Sequence, residues 1–274
     1  MAIHTRVFGS LVRIMSAGVL LASFWSASQA LADQVVHVGA VHFPPYVVRP
    51  EKGEDSGLLS RLVIALNAVQ QDYRFVMVPT SVPRRYRDFE QGRIDIAMFE
   101  NPEWGWKSIA FDKVDLGLED AEVFVARRVA GRQQDYFDDL SDKRLAIFSG
   151  YHYGFAGFNA DPKYLATQFN AIATYSHDSN LLMVARGRVD IAPVTRSYLI
   201  DFMSRYRSDA GQLLVSERVD QTYRQFALLR PGAGISARRF QQLLQVLREE
   251  GVLAQIFEPL QISVLPVAQD SQLQ

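Results

Sequence analysis

The sequence predicts an α/β protein of two similar lobes, each a mostly parallel sheet flanked by helices, joined by two crossover strands. An internal echo predicts the two lobes, because Gly-Arg-Ile-Asp-Ile-Ala at residues 92–97 returns as Gly-Arg-Val-Asp-Ile-Ala at residues 187–192. Strands also alternate with helices in the same order before each copy. Such alternation favours a parallel sheet with helices on its faces.

The first lobe begins with a predicted strand over residues 35–41. A helix follows, whose apolar residues recur at the spacing that places them on one face: Leu59, Leu62, Val63 and Leu66. A strand over 75–78 and a helix over 84–91 come next. The glycine of the first echo copy ends that helix, and an apolar strand over 94–99 begins.

The second lobe repeats this order. The pattern predicts a strand over 145–148, a helix over 162–169, a strand over 172–175 and a helix over 179–186. The second echo copy then opens the next strand, as the first copy does in the first lobe.

Two short apolar segments, 123–126 and 225–229, are interpreted as the crossover strands, because Arg-rich or Pro/Gly residues follow each of them. A helix over 236–250, which Gly251 ends, is expected to complete the first lobe after the chain returns. The predicted domains are therefore residues 33–125 plus 226–266 for lobe 1, 126–225 for lobe 2, and a flexible tail over 267–274.

Residues 1–32 have the features of a cleavable signal peptide. Arg6 and Arg13 give a basic start, residues 14–25 form an apolar run, and Ala30-Leu31-Ala32 supplies the small residues of a cleavage site. We therefore expect an exported, periplasmic protein. A lipid anchor on cysteine is not expected, because the chain has no cysteine.

Composition excludes several functional classes. The 274 residues are 48% hydrophobic and 22% charged, as in an ordinary globular chain. The 29 basic residues do not outnumber the 30 acidic ones, so nucleic-acid binding is not expected. The chain has no cysteine for thiol catalysis, none of the common enzyme motifs, and no histidines at metal-ligand spacing. We therefore expect no catalytic residue, no metal and no cofactor.

Several short motifs carry a resemblance to a known family. They are Val38-Gly39, Phe43-Pro44-Pro45-Tyr46, Gly57-Leu58-Leu59, both echo copies, Ile109-Ala110-Phe111 and residues 247–251. In this order they resemble the periplasmic solute-binding proteins of amino-acid-type ABC transporters, family 3, over nearly all of the chain after residue 32. The resemblance implies the periplasmic binding protein type II fold. It also implies a monomer that closes on a small solute and delivers it to an inner-membrane ABC permease.

The solute is expected at the carboxyl ends of the parallel strands, where loops and helix N-termini converge. Tyr46 follows two prolines at the first such end, and the resemblance implies an aromatic ring there that stacks on the solute. Trp104 and Tyr151 are further candidates beside glycines. Several rings around one cleft suit a cation or a flat ring. The alternative, that each ring packs in the core, stays open.

The sequence departs from the resembled family at the two anchors for an α-amino acid. The family carries an arginine for the α-carboxylate after the third strand, where this chain has Asn101 to Trp104 and no arginine. The family's aspartate for the α-amino group aligns with Thr195. We therefore expect a solute other than an ordinary α-amino acid, with Asn101 and Thr195 at its site.

Two charged residues are candidates to replace these anchors. Arg84 opens a helix aimed at the cleft and could supply a guanidinium, although exposure to solvent beside further arginines is the favoured alternative. Glu100 follows the third strand and would favour an amine, the alternative being an ion pair with a basic neighbour. Asp95 and Asp190 are instead assigned to structural hydrogen bonds at the opposite strand ends.

The loop over residues 150–154 offers backbone N–H groups for an anion, and it also carries His152. His152 is expected to pack or donate a hydrogen bond, or else to form an acid/base pair with Glu100. The sequence thus favours a solute receptor for an ABC permease. An exported enzyme with dehydratase-like chemistry on a cyclic acid, a class that the resembled fold includes, and a ligand-sensing module for a membrane sensor remain alternatives.

Overall fold

The computed structural model describes residues 34–52 and 57–267. The predicted signal peptide over 1–32 and residues 268–274 of the predicted tail lie outside the described residues. None of the helices in the described ranges has the length and apolarity to cross a membrane.

The first half of the chain forms three strands and two helices in the predicted order. They are β1 (Gln34–Val41), α1 (Leu58–Ala68), β2 (Tyr73–Thr80), α2 (Arg85–Glu90) and β3 (Ile96–Glu100). β1 lies between β2 and β3 and pairs in parallel with both. The predicted apolar stripe of α1 is buried against this sheet, because its spacing matches the helical repeat.

A long strand, β4 (Asp112–Arg127), then leads to the second half, which repeats the same order. Its elements are β5 (Leu145–Phe148), α3 (Pro162–Phe169), β6 (Ala171–Thr174), α4 (His177–Ala185) and β7 (Ile191–Thr195). β5 pairs in parallel with β6 and β7, as β1 does with β2 and β3. The echo predicted by sequence is therefore a repeat of topology, in which each copy opens the third strand of its half.

The rest of the chain completes the sheet and the first half. It forms α5 (Arg196–Arg205), α6 (Arg207–Ala210), β8 (Leu213–Leu229), α7 (Ala237–Glu249), α8 (Val252–Phe257) and β9 (Ser263–Val264). The Ser236 hydroxyl caps α7 by accepting the Arg239 N–H at 3.2 Å, and Gly251 ends the predicted helix with a φ of +72°. The sequence analysis did not predict α5, α6, α8 or β9.

The two crossover strands are much longer than predicted. β4 has 16 residues and β8 has 17, and they pair with each other in antiparallel orientation. β8 also pairs with β3 and β4 with β7, so the strands form one curled network in the order β2-β1-β3-β8-β4-β7-β5-β6. The predicted segments stopped short because charged residues interrupt the apolar pattern of both strands. The predicted fold class is confirmed. The two half-sheets are hydrogen-bonded to each other through the crossover strands β4 and β8. The lobe boundaries remain predictions.

The two echo aspartates make equivalent hydrogen bonds, as the sequence analysis expected. The Asp95 carboxylate accepts the backbone N–H of His37 at 2.9 Å, and that of Asp190 accepts the backbone N–H of Arg144 at 2.9 Å. Each therefore ties the residue before the third strand of its half to the first strand, Asp95 to the middle of β1 and Asp190 to the residue before β5. Asp95 also forms a 2.7 Å ion pair with Arg230, so it is anchored more strongly than Asp190.

Replacement of the two aspartates tests this equivalence. We expect Asp95→Ala to lower the free energy of unfolding by about 2–3 kcal/mol and Asp190→Ala by about 1–2 kcal/mol, because Asp95 loses a charged partner as well as a backbone hydrogen bond. Urea denaturation measures both values. Equal, negligible losses would contradict the structural role.

Candidate functional site

A small chamber lies where the carboxyl ends of strands from both halves meet the crossover strands. Its free volume is about 50 Å³, room for a few water molecules. A wider opening of about 860 Å³ adjoins it and shares His42, Val82 and Gly150 with it. The residues that define the chamber here are His42, Phe43, Arg85, Glu100, Trp104, Glu122, Gly150, Tyr151, His152, Tyr153, Gln221 and Tyr223.

Aromatic rings from both halves and from a crossover strand form much of the chamber wall. The ring of Phe43 meets Tyr151 edge-on at 5.3 Å and Trp104 at 6.3 Å between ring centroids. Trp104 in turn meets Tyr223 of β8 edge-on at 5.2 Å. Phe43 and Tyr151 come from the loops after β1 and β5, so equivalent strand ends of the two halves touch across the chamber. Trp104 and Tyr151 thus lie where the sequence placed them.

Tyr46 lies behind the chamber wall. Its side chain is fully buried and stacks on Phe43, with ring centroids 4.9 Å apart, so Phe43 is the ring that lines the chamber. The hydroxyl of Tyr46 donates to the Asp120 carboxylate of β4 at 2.8 Å. The structure therefore corrects the expectation of a cleft-facing Tyr46: the ring packs within its own half and ties it to the crossover strand.

The arginine of the chamber is Arg85, one residue beyond the predicted Arg84. Arg84 is exposed to solvent, which is the alternative that the sequence analysis favoured. Arg85 lies in the first turn of α2 and is buried. Arg85 Nε lies 3.1 Å from Glu100 Oε1, and the Trp106 indole N–H donates to Glu100 Oε2 at 2.8 Å. Glu100 thus lines the chamber with both oxygens engaged. Burial raises the pKa of Glu100, opposed by Arg85 and by the Trp106 hydrogen bond.

Asn101 and Thr195 serve their own backbone rather than the chamber. Asn101 Oδ1 accepts the Glu103 N–H at 3.0 Å and shapes the turn that presents Trp104. Thr195 Oγ1 accepts the Tyr198 N–H at 3.3 Å and caps α5. Neither residue lines the chamber, so the structure places both outside the predicted site.

The loop after β5 places His152 in the chamber beside Tyr151. Burial, assisted by the nearby charge of Arg85, lowers the pKa of His152 to about 4, so its imidazole is neutral at pH 7. The protein itself engages the end of the expected anion nest over residues 150–154. The N–H groups of Gly154 and Phe155 both donate to the Asp220 carboxylate of β8 at 2.7 Å.

Three chamber residues on the crossover strands escaped the sequence analysis: Glu122, Gln221 and Tyr223. Glu122 and Gln221 lie opposite each other in the β4–β8 ladder, and the Gln221 amide donates to the His152 carbonyl at 2.8 Å. Burial, reinforced by Asp220 and Asp120, raises the pKa of Glu122 well above its ordinary value. The available signal was the alternation of Asp120 and Glu122, which period-two geometry places on one face of a strand.

Besides Arg85 Nε, whose contact with Glu100 is an ion pair without hydrogen-bond geometry, four polar atoms of the chamber wall have no hydrogen-bond partner within the described part of the chain. They are Trp104 Nε1, Glu122 Oε1, the Tyr151 hydroxyl and the Tyr223 hydroxyl. Buried polar atoms are nearly always paired in native proteins.

Across residues 34–52 and 57–267, no group of three or more histidine and acidic side chains could hold a metal ion.

No family model and no curated protein sequence matches the chain. Its structure is similar to a histidine kinase sensor domain with similarity to periplasmic binding proteins, at 19% identity and a TM-score of 0.61, over 81% of this chain and 93% of that one. An ancestral arginine-binding protein bound to arginine aligns at 16% identity and a TM-score of 0.62, over 83% and 98%.

A third similar structure is a probable amino-acid ABC transporter extracellular-binding protein from Bacillus subtilis. It aligns at 15% identity and a TM-score of 0.62, over 82% of this chain and 96% of that chain. The chain therefore has the periplasmic binding protein type II fold, the fold that the sequence resemblance implied.

The raised pKa of Glu122 predicts how its replacement changes stability with pH. Above the ordinary pKa of 4.5, the unfolded carboxyl ionises while the folded one stays protonated, so the wild type loses stability as pH rises. Glu122→Gln removes this loss. We expect its free energy of unfolding to gain on the wild type by up to about 1.4 kcal/mol per pH unit, from pH 4.5 until the folded carboxyl titrates. Denaturant titrations from pH 4 to 8 measure this difference, and parallel pH curves would contradict it.

Proposed function

We propose that this protein is an exported receptor that captures a small solute in the chamber and presents it to an inner-membrane ABC permease. The two half-sheets would close on the solute by bending at β4 and β8, the strands that connect them. The fold is shared with amino-acid-binding proteins, and the roles of those proteins support solute binding as the starting hypothesis. Export to the periplasm rests on the signal-peptide features of residues 1–32.

The observation that carries this proposal is the set of four unpartnered polar atoms around one aromatic chamber. Trp104 supplies a donor, Glu122 supplies an acceptor, and the two tyrosine hydroxyls can do either. They come from β4, from β8 and from loops of both halves, yet they line one small space. A solute that satisfied them would stabilise the contact between the halves, which is the requirement for closure on binding.

A sensor module for a membrane kinase is the second candidate, because the similar histidine kinase sensor domain has the same fold. Solute capture would be identical, and only the protein that recognises the closed form would differ. The acid/base pair of the enzyme alternative receives less support. Glu100 is held by Arg85 and Trp106, so its carboxylate is engaged before any substrate arrives.

Tyr151→Phe tests whether the chamber is the solute site. The native solute is first identified by mass spectrometry of material released from the purified protein. We expect Tyr151→Phe to weaken its binding about 3–10-fold, because the hydroxyl loses a hydrogen bond to the solute. The melting temperature of the solute-free protein should not fall, because that hydroxyl has no partner in the described chain.

Tyr164→Phe is the matched control, since Tyr164 is 37% exposed on α3 and does not line the chamber. It should bind the solute as the wild type does. Equal affinities for both variants and the wild type would show that the solute binds elsewhere. Failure of every solute in a broad melting-shift screen would contradict the receptor function itself.

A further inference from the structure

We infer that the chamber binds an organic cation that carries no carboxylate group, and that Glu122 is the counter-ion of this cation. The inference rests on the proposed function and adds the chemical class of the solute. It follows from which charges of the chamber are already paired within the protein and which are not.

Glu122 is the chamber acid without a basic partner. Its side chain is 2% exposed, its Oε1 accepts no hydrogen bond from any described residue, and the charged groups that influence it, Asp220 and Asp120, are themselves acids. A carboxyl buried in this way costs folding free energy, because neither water nor a partner compensates it. A ligand that brings a positive charge would compensate it.

The other charges of the chamber cancel. Arg85 and Glu100 form a buried ion pair, with only 7% of each side chain exposed. His152 is neutral at pH 7, since its pKa lies near 4. Ionised Glu122 therefore leaves the chamber with one unbalanced negative charge, and a monovalent cation is the complementary solute.

A carboxylate on the solute would have to compete with acids of the protein for the Arg85 guanidinium and for the N–H groups at the end of the loop after β5. The guanidinium of Arg85 is paired with Glu100, and the N–H groups of Gly154 and Phe155 are occupied by Asp220. Gly154 also packs tightly, since a Cβ atom there would lie 2.7 Å from the backbone oxygen of Asp220. The two devices that usually bind a carboxylate are thus used within the protein.

The aromatic wall supports the same class. The faces of tryptophan, tyrosine and phenylalanine rings attract a cation within about 6 Å of the ring centroid, and more strongly where water is excluded. Phe43, Trp104, Tyr151 and Tyr223 all line the chamber and contact one another, so a cation bound there would lie among these rings. The rings would contact the apolar groups of the cation, while the Glu122 carboxylate would pair with its positive charge.

Binding of a cation is then coupled to ionisation of Glu122. Because the pKa of Glu122 is raised, its carboxyl must release a proton wherever it is protonated in the free protein. Affinity for the cation should therefore fall as pH falls, by up to about tenfold per pH unit. The ionisable groups that face the chamber or Glu122 from the surrounding elements are His42, Arg85, Glu100, Asp120, Tyr151, His152, Tyr153, Asp220 and Tyr223.

Matched probes test the solute class by melting shift and calorimetry. The cations are tetramethylammonium, choline, propylammonium and benzylammonium. tert-Butanol is the neutral probe of similar shape to tetramethylammonium, and trimethylglycine carries the same head group with a carboxylate. We expect at least one cation to bind, and to bind at least about 30-fold more tightly than tert-butanol and trimethylglycine. Calorimetry in buffers of different ionisation enthalpy should show proton release on binding below the pKa of free Glu122.

Glu122→Gln should remove the preference for the cation over tert-butanol and abolish the proton release. The matched control is Glu119→Gln on the same strand, three residues earlier and hence on the opposite face, which should behave as the wild type. The buffer experiment on the wild type keeps the test valid if Glu122→Gln fails to fold.

Three results would overturn the inference. A native solute with a carboxylate, or preferential binding of tert-butanol or trimethylglycine, would refute the cation class and leave the receptor function intact. Unchanged cation preference in Glu122→Gln would refute the role of Glu122. Absence of binding by the four cations would refute the inference, and it would refute the proposed function only if a broad panel of other solutes also failed to bind.

Discussion

The antiparallel pairing of β4 with β8 is the constraint on which the rest of the structure depends. The two strands pair along most of their length, and each half-sheet attaches to one of them. Acidic side chains of this pair then reach both halves. Asp120 accepts from Tyr46 of the first half and from the Ser197 hydroxyl of the second, at 2.8 and 2.6 Å. The chamber exists because the loops of both halves are held against the same two strands.

Acidic side chains of β3 and β8 also occupy groups near the chamber that could otherwise bind an anion. Asp220 occupies the backbone donors of the loop after β5, while Glu100 neutralises Arg85. Each pairing satisfies a group that could otherwise bind an anion. Burial raises the pKa of Asp120, Glu122 and Asp220, which favours their protonated forms. The repulsion between these neighbouring acids is therefore weaker than it would be if all three were ionised. In the proposed receptor, these pairs within the protein would therefore contribute to selectivity against anions.

Local patterns were sufficient to predict the repeated strands and helices, because the apolar periodicity lies within single elements and each Gly-Arg-x-Asp-Ile-Ala copy lies in one turn and the strand start that follows it. They were insufficient for β4 and β8, where long-range pairing stabilises strands that carry Asp120 and Glu122 against their local preference. The site was predicted at the level of loops. Which of two adjacent residues faces inward, Arg84 or Arg85, depends on the rotation of a short helix that packing alone decides.

The position of the segment between β4 and β8 affects how this chain can change by recombination. Arg127 and Leu213 are paired neighbours at the far end of the β4–β8 ladder, so residues 128–212 leave and rejoin this ladder at one place. The second half is in this sense an insertion with adjoining ends, the arrangement that permits a module to be exchanged between homologous scaffolds without rethreading the chain. Recombination at this place would replace the part of the chamber wall that contains Tyr151 and retain the acidic residues of β4 and β8.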